Sequence, residues 1–187
     1  QGRLVAGEWL VVHGCGGVGL SAIMIGAAMG AQVLGIDVKE EALAFAKTLG
    51  ATQVLHACRT PELMEAIADL TRGGAHVSLD ALGSPETCRN SIQCLRKRGR
   101  HVQVGLMLAD HRLAPVPMDL VIAKELEIHG SHGLQAHAYA PMLEMIQDGR
   151  LQPRILVRKR VTLEQAIGEL TRMGEFRGCG VTVIDRF

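Results

Sequence analysis

The chain has 187 residues, of which 48% are hydrophobic and 21% are charged, values that are ordinary for a soluble globular protein. A chain of this length forms one hydrophobic core, with room for an appended segment. Its formal net charge is +1 and its Lys and Arg residues are scattered, which excludes the basic surface expected of a protein that binds nucleic acid or a membrane. The five cysteines include no C-x-x-C pair, which favours reduced thiols and a cytoplasmic location. The sequence begins at Gln1 without a Met, and we expect it to be a fragment of a longer protein.

The first predicted element is a β-strand at residues 9–12, which leads into the turn G-x-G-G-V-G at residues 14–19 and then into a helix. A glycine turn between a strand and a helix is typical of dinucleotide binding. Gly14 allows the tight turn, Gly16 lets a pyrophosphate approach the backbone, and Gly19 lets the helix pack against the strand. The unpaired N–H groups at the start of the helix favour an anion there. We therefore predict a nucleotide site at this turn.

An acidic residue ends the second predicted strand, which covers residues 32–36. Asp37 follows the glycines by about 20 residues, where dinucleotide-binding folds place the carboxylate that binds the ribose hydroxyls. Because this carboxylate would repel a 2′-phosphate and no Arg follows it in the turn, the pattern favours NAD over NADP. A methyltransferase is an alternative, since its cofactor turn also places G-x-G after a first strand and an acid after the second. A solvated strand end is the purely structural interpretation of Asp37.

Strands and helices continue to alternate along the chain. The predicted helices lie at residues 20–29, 40–49, 61–71, 86–95, 119–124, 138–147 and 163–173. The remaining predicted strands lie at residues 54–55, 76–80, 101–106, 126–130, 154–161 and 181–184. Thr60, Ser84 and Thr162 are the predicted N-cap residues of the third, fourth and last helices. The alternation predicts an α/β fold, in which six strands form a doubly wound parallel Rossmann sheet in the order 3-2-1-4-5-6. We assign residues 1–133 to this domain and residues 134–187 to a C-terminal segment.

These motifs together resemble the medium-chain alcohol dehydrogenase family. The matching pieces, besides the glycine turn, are L-G-I-D at residues 34–37, L-G-A-T at 49–52, D-A-L-G at 80–83 and V-G-L at 104–106. The resemblance covers the coenzyme-binding domain and C-terminal tail of a zinc-dependent member. It implies an oxidoreductase whose parent transfers a hydride between an alcohol or aldehyde and NAD. The catalytic domain with its zinc ligands has no counterpart here. Zinc is therefore expected only in the full-length parent, the fragment is expected to be inactive alone, and its tail is expected to pack on that absent domain.

The resemblance also assigns coenzyme contacts. It places Val18 against the nicotinamide ring, the backbone around Val104, Ser131 and Gly133 on the carboxamide, and Asp37 on the adenosine ribose. The predicted cofactor-binding residues are Gly14, Gly16, Gly17, Val18, Gly19, Asp37, Lys39, Val104, Ser131 and Gly133.

Two positions depart from the family pattern. Some members have a ribose-binding Lys five residues beyond the aspartate, where Ala42 stands here, and Lys39 is the candidate substitute. Some members also have an Arg near the last strand that contacts the pyrophosphate, where this chain has Val181. Both departures would weaken NAD binding without changing its mode.

The other chemistry-bearing residues receive structural interpretations. His129, His132 and His137 belong to no H-E-x-x-H or paired Cys/His pattern, so no metal ligand is predicted. Cys15 lies inside the glycine turn and Asp80 ends the fourth predicted strand, and neither has a catalytic partner beside it in the sequence. No catalytic residue is predicted.

Two other functions stay open. One is a domain of a zinc-free quinone reductase of the same superfamily, although those proteins more often have Ala and Ser before G-G-V-G and use NADP. The other is a non-catalytic NAD-binding module. The sixth strand lies at the sheet edge, where unpaired backbone groups invite a second copy, so a homodimer is expected. The apolar faces of the tail are expected to pack against the chain's own sheet or against another copy.

Overall fold

A computed structural model describes residues 1–175 and 178–187. The strands are β1 Trp9–His13, β2 Gln32–Asp37, β3 Gln53–His56, β4 Ala75–Asp80, β5 Leu95–Gln103, β6 Glu127–Gly130, β7 Val157–Thr162 and β8 Val181–Arg186. The α-helices are α1 Gly17–Ala28, α2 Glu40–Thr48, α3 Leu63–Thr71, α4 Pro85–Gln93, α5 Met118–Ala123, α6 Tyr139–Gln147 and α7 Leu163–Thr171. The first six strands form one parallel sheet in the order β3-β2-β1-β4-β5-β6, which confirms the predicted α/β fold and strand order. Within the described ranges, every helix is too short or too polar to cross a bilayer.

The sheet is buried on both faces because its central strand is apolar at successive positions. Neighbouring side chains of a strand point to opposite faces, so Val11 and Val12 of β1 belong to different hydrophobic clusters. Val12 packs in the cluster that contains Leu20 of α1, whereas Val11 packs in the cluster that contains Ile92 of α4. Each of these side chains is fully buried, or nearly so. Burial of a Val, Leu or Ile side chain contributes about 2 kcal/mol, so β1 anchors both layers of helices.

All six parallel strands end at the same edge of the sheet. His13 pairs with Ile36 of β2 and with Asp80 of β4, and Asp80 pairs in turn with Gln103 of β5. The strand order reverses between β1 and β4. In doubly wound sheets, ligands bind outside the carboxyl ends of the strands at such a reversal. The residues that follow β1, β2 and β4 therefore lie where a ligand is expected.

Several element boundaries differ from the predictions. The helix predicted from residue 20 begins at Gly17, because the Leu20 N–H already donates to the Gly16 carbonyl at 2.8 Å. The Thr60 cap is wrong: α3 begins at Leu63, after Glu62 with φ +44°, and Thr60 N–H instead donates to the His56 carbonyl.

The strand boundaries of β5 and β7 also differ. The fifth strand begins at Leu95, earlier than predicted, and its pairing with β4 shifts register between Ala75 and Val77. The strand predicted from residue 154 begins at Val157, after a 3₁₀ turn at Pro153–Leu156.

Two predicted caps are confirmed. Ser84 Oγ accepts a hydrogen bond from the Thr87 N–H at 3.1 Å at the start of α4. Thr162 Oγ1 accepts one from the Gln165 N–H at 3.3 Å, and Gln165 Oε1 accepts one from the Thr162 N–H at 3.0 Å. Both capping patterns are local in sequence, which is why they can be recognised without a fold.

The C-terminal tail packs partly on the main domain. Its strands β7 and β8 form a separate two-stranded parallel sheet. Leu156 is buried in the same cluster as Leu20 and Ile23 of α1. The helix α7 buries Ala166 but leaves Ile167 68% exposed, so one part of the tail's apolar surface joins the core and another does not. The domain boundary between residues 133 and 134 stays a prediction.

Candidate functional site

The glycine turn after β1 has a backbone geometry that requires glycine at two positions. Gly14 has φ +93°, a left-handed conformation that is costly for other residues. At Gly19, a Cβ would overlap the Gly14 carbonyl oxygen and would lie 2.9 Å from the Gly14 carbonyl carbon. The helix α1 can therefore approach the end of β1 only because Gly19 has no side chain.

Gly16 has a different environment. It is the N-cap of α1 with φ −78°, and no heavy atom lies within 4 Å of the position that a Cβ would occupy. No side chain caps this helix, and its first turn contains no acidic residue. The first N–H groups of a helix have no intrahelical acceptor, so the N-terminus of α1 is open to an anion.

Asp37 is bonded directly to the glycine turn. Its Oδ2 accepts a hydrogen bond from the Cys15 N–H at 2.7 Å, and its Oδ1 accepts one from the Lys39 N–H at 2.9 Å. Each carboxylate oxygen has a second lone pair, which can accept a bond from a hydroxyl group. Asp37 therefore joins the carboxyl end of β2 to the turn that follows β1. Its carboxylate oxygens can also accept hydrogen bonds from a ligand. The sequence predicts a ligand-binding role for Asp37, which stays a prediction, and gives no sign of its bond to the glycine turn.

Exposed apolar side chains surround the turn. Val18 is 51% exposed at the start of α1, as a contact with a planar ring requires. Val38 and Leu82 are 54% and 47% exposed, and they follow β2 and β4, the two strands that flank β1. Val38 and Leu82 are not among the residues that the sequence motifs predict for the site. The signal available was an apolar residue just after each strand-ending aspartate.

Asp80 holds the turn that follows β4. Its Oδ1 accepts hydrogen bonds from the N–H groups of Leu82 and Gly83 at 2.9 and 3.0 Å, and Gln103 Nε2 donates to its Oδ2 at 2.8 Å. A Cβ at Gly105 would lie 2.8 Å from the Gly83 Cα, so the turns after β4 and β5 touch through their backbones. The fully buried Asp80 is therefore a structural residue at this edge.

A buried chain of hydrogen bonds supports Asp80 from below. Ser78 and Ser91 hydroxyls lie 2.6 Å apart, Ser91 Oγ lies 2.9 Å from His101 Nδ1, and His101 Nε2 lies 3.2 Å from Gln103 Oε1. Gln103 donates through its amide nitrogen to Asp80, so its Oε1 accepts from His101 Nε2–H, and His101 Nδ1 accepts from the Ser91 hydroxyl. Burial lowers the pKa of His101 and keeps its ring neutral.

A second histidine lies beneath the same edge. Burial lowers the pKa of His13 to about 4, against a smaller raising effect of the Asp80 carboxylate and with a further lowering by His101. His13 Nε2 lies 3.6 Å from the Cys94 sulfur. Burial also raises the pKa of Cys15 to about 12, so this thiol is not a reactive nucleophile.

The other predicted site residues lie at the same carboxyl edge. Val104 follows β5, and the Ser131 N–H donates to the Gln103 carbonyl at 2.9 Å just after β6. Gly133 has φ +68° and open space around it. The coenzyme-binding roles of all ten residues stay predictions.

The histidines of the sixth strand region do not cluster. His129 Nε2 lies 3.0 Å from Glu127 Oε2, whereas His132 and His137 are exposed. In the part of the chain that the structure describes, no group of three or more His, Cys, Asp or Glu side chains is placed to hold a metal ion.

A doubly wound parallel sheet, a glycine turn between its first strand and helix, and a carboxylate at the end of its second strand define a Rossmann-like fold, the class of fold that commonly binds dinucleotides. Comparison with protein families identifies the group more closely. The family described as zinc-binding dehydrogenase matches residues 17–148, and the chain belongs to this family. This membership confirms the resemblance inferred from the sequence and excludes the methyltransferase alternative.

Curated relatives are similar over almost the whole chain. The NAD-dependent alcohol dehydrogenase of Saccharolobus solfataricus is 30% identical over 177 residues, which cover 94% of this chain and 49% of the relative. That of Sulfurisphaera tokodaii is 34% identical over 179 residues, which cover 94% of this chain and 50% of the relative. The chain thus spans about half the length of the curated relatives it matches.

Solved structures agree with this result. The alcohol dehydrogenase of Thermus sp. ATN1 superposes with a TM-score of 0.86 at 28% identity, covering 100% of this chain and 53% of that one. The alcohol dehydrogenase of Aeropyrum pernix superposes with a TM-score of 0.83 at 28% identity, covering 97% and 51%. All four of these proteins are described as alcohol dehydrogenases.

Proposed function

We propose that this chain is the NAD-binding domain of an alcohol dehydrogenase-like oxidoreductase, whose whole protein transfers a hydride between an alcohol or aldehyde and NAD. The observation that carries the proposal is the 2.7 Å hydrogen bond from the Cys15 N–H to Asp37 Oδ2. It joins the turn that would hold the pyrophosphate to the carboxylate that would hold the adenosine ribose, so both are fixed relative to each other before a ligand arrives.

The proposed binding mode follows from the geometry of the edge. The diphosphate lies against Gly16 and accepts bonds from the N–H groups at the start of α1. The ribose hydroxyls donate to Asp37. The nicotinamide ring lies on Val18, with its carboxamide bonded to backbone groups near Val104 and Ser131. The exposed side chains after β2 and β4 give the adenine ring apolar surface on which to pack.

The residues described here do not fit a zinc site, because they include no group of three or more metal-binding side chains. In the whole protein, zinc would act as a Lewis acid on the alcohol oxygen. The chemistry assigned to this chain is confined to binding and orienting the coenzyme. We further propose that the chain works in the cytoplasm as a homodimer.

The proposal is tested by titrating the purified chain with NAD and NADP in a calorimeter. We expect NAD to bind at least about tenfold more tightly, a difference of about 1.4 kcal/mol, because Asp37 repels a 2′-phosphate. Equal binding of both coenzymes would overturn the assignment to NAD. Failure of either coenzyme to bind at millimolar concentration would overturn the proposed function itself.

A further inference from the structure

The loop before β8 lies directly on the glycine turn. A Cβ at Gly17 would lie 3.4 Å from Val181 Cγ2 and 3.7 Å from the Gly180 carbonyl oxygen. The C-terminal tail therefore contacts the first residue of α1, where the proposed diphosphate site begins. A charged side chain that packs against this loop therefore lies at the border of the proposed coenzyme site.

Arg158 of β7 packs against that loop. Gly180 has φ +83°, and a Cβ there would lie 2.5 Å from Arg158 Cγ, so the absence of a side chain at Gly180 makes room for the arginine. The Arg158 guanidinium carbon lies 4.9 Å from the centre of the Phe45 ring on α2. A cation over an aromatic face is attracted by the ring, which holds the guanidinium between α2 and the loop that touches α1.

The electrostatics of the site favour a cation at this place. The first turn of α2 carries Glu40 and Glu41, and that of α1 carries no acidic residue. Arg59, another cation on this side, forms an ion pair with Glu40 at 2.7 Å. A dianionic ligand that approached past these carboxylates would gain from a positive charge brought in by the tail.

The position of Cys179 gives a second sign that Arg158 and Asp37 border one site. Burial raises the pKa of the Cys179 thiol, the Glu41 and Asp37 carboxylates raise it further, and the Arg158 guanidinium lowers it. Both Arg158 and Asp37 thus act on the same side chain, although they are 121 positions apart in the sequence.

We propose that Arg158 binds the diphosphate of the coenzyme, which makes the tail part of the coenzyme site. This inference rests on the proposed function. The guanidinium swings from the Phe45 ring by rotation of its terminal side-chain bonds and donates to the phosphate oxygens that face Gly17. It supplies from β7 the positive charge that Val181 cannot supply from β8. The diphosphate, not a 2′-phosphate, is the ligand, because Gly180 contacts the start of α1 whereas Asp37 repels a second phosphate on the ribose.

The test compares Arg158→Gln with Arg160→Gln in the whole 187-residue chain. Arg160 lies two positions further along the same strand, is exposed, and pairs with Asp185 at 2.8 Å. Arg160→Gln therefore removes the same charge while the contacts of Arg158 with Phe45 and Gly180 remain. Calorimetry gives the dissociation constants of NAD, ADP and adenosine for each variant. We expect Arg158→Gln to weaken NAD and ADP roughly tenfold, as for a lost hydrogen bond to a charged group, and to leave adenosine unchanged. Arg160→Gln should leave all three unchanged.

A third variant separates charge from packing on Phe45. Arg158→Lys keeps the positive charge and should restore most of the affinity for ADP. An affinity of Arg158→Gln for NAD within twofold of the unchanged chain would overturn the role of Arg158, as would an equal loss of affinity for adenosine. Absence of NAD binding by the unchanged chain would overturn this role together with the proposed function.

Discussion

Gly16 and Gly19 stand three residues apart in one turn and lack a side chain for different reasons. A Cβ at Gly19 would overlap the Gly14 carbonyl oxygen, whereas a Cβ at Gly16 would meet no heavy atom within 4 Å. The first glycine therefore leaves room for a ligand, and the second leaves room for the protein's own backbone. The two requirements are separable by experiment.

We predict that alanine affects stability at one of these positions and NAD binding at the other. Gly19→Ala should destabilise the fold by about 3 kcal/mol, because the added methyl group forces α1 away from β1. Gly16→Ala should leave the free energy of unfolding almost unchanged but weaken NAD binding about tenfold or more, because the methyl group occupies the approach of the diphosphate. Urea unfolding and calorimetric titration measure the two effects. A stable Gly19→Ala, or a Gly16→Ala that binds NAD normally, would contradict this account.

Asp37 combines a structural and a binding role in one carboxylate. Asp37→Asn removes the negative charge and keeps one acceptor oxygen, so one of the two backbone bonds, to Cys15 or Lys39, is lost. We predict a stability loss of about 1 kcal/mol and a clear narrowing of the preference for NAD over NADP. Asp69→Asn is the control, since this exposed residue lies near the end of α3, at the opposite edge of the sheet. An unchanged preference for NAD over NADP in Asp37→Asn would show that Asp37 does not contact the coenzyme.

At the scale of the elements, the glycine turn and Asp37 could be predicted from the sequence, whereas the buried hydrogen bonds beneath them could not. The glycine turn and Asp37 are local patterns with a fixed separation, and the Ser84 and Thr162 caps are local as well. The hydrogen bonds that join Ser78 to His101 depend on the pairing of β4 with β5 and on the packing of α4, which no local pattern encodes.

The boundary errors have the same origin. The fifth strand was placed too late because its first half is a charged run, R-K-R-G-R at residues 96–100, without apolar alternation. Pairing with β4 makes it a strand nevertheless. Tertiary packing also brings Arg158 of β7 against the loop that contacts Gly17, and these segments are too distant in the sequence for residue spacing to predict the contact.

The histidines beneath the carboxyl edge predict an acid-sensitive fold. In the unfolded chain a histidine titrates near pH 6.5, whereas burial lowers the pKa of His13 to about 4 in the folded protein and also lowers the pKa of His101. The unfolded state therefore binds more protons below pH 6.5. The free energy of unfolding is therefore highest, as far as His13 is concerned, above about pH 6.5. It decreases as the pH falls from about 6.5 to about 4. Protonation would also remove the His101 acceptor on which Ser91 depends.

We predict that His13 contributes about 2 kcal/mol to the loss of stability between pH 7 and pH 5. Urea unfolding at both pH values measures it. His13→Gln should lower the pH dependence by this amount, whatever its effect on stability at pH 7, while His111→Gln, at an exposed position, should retain the full dependence. An identical pH dependence in His13→Gln and the unchanged chain would show that His13 is not buried in neutral form.

On the scale of the whole molecule, the C-terminal tail has one side that packs on the main domain and another that is exposed. Leu156 joins the core cluster against α1, and Val181 lies on Gly17. The opposite surface of α7 exposes Leu163, Ile167 and Leu170, each by more than half. Clustered exposed apolar side chains of this kind are usually an interaction surface. The tail therefore packs on the main domain with one side and leaves an apolar surface exposed on the other.

The sheet itself also has an open edge, because β6 pairs with no described strand other than β5. The Ser131 N–H just beyond β6 donates to the Gln103 carbonyl, and alternate residues of a strand point their N–H groups to the same side. The Ile128 N–H therefore points away from β5, toward the open edge. Ile128 is itself 43% exposed, so this edge offers both an apolar side chain and an unpaired backbone donor to a second copy of the chain.

We predict that two copies pair through their β6 strands and that Ile128→Pro prevents it. Proline removes the outward N–H and leaves the bonds to β5 in place, since an edge strand tolerates proline on its open side. Ile128→Val is the control, because it keeps the N–H and the β-branched shape. Sedimentation at micromolar concentration should give a dimer for the unchanged chain and Ile128→Val, and a folded monomer for Ile128→Pro. A dimer that survives Ile128→Pro would move the interface to the exposed face of α7, and a monomeric unchanged chain would contradict dimerisation altogether.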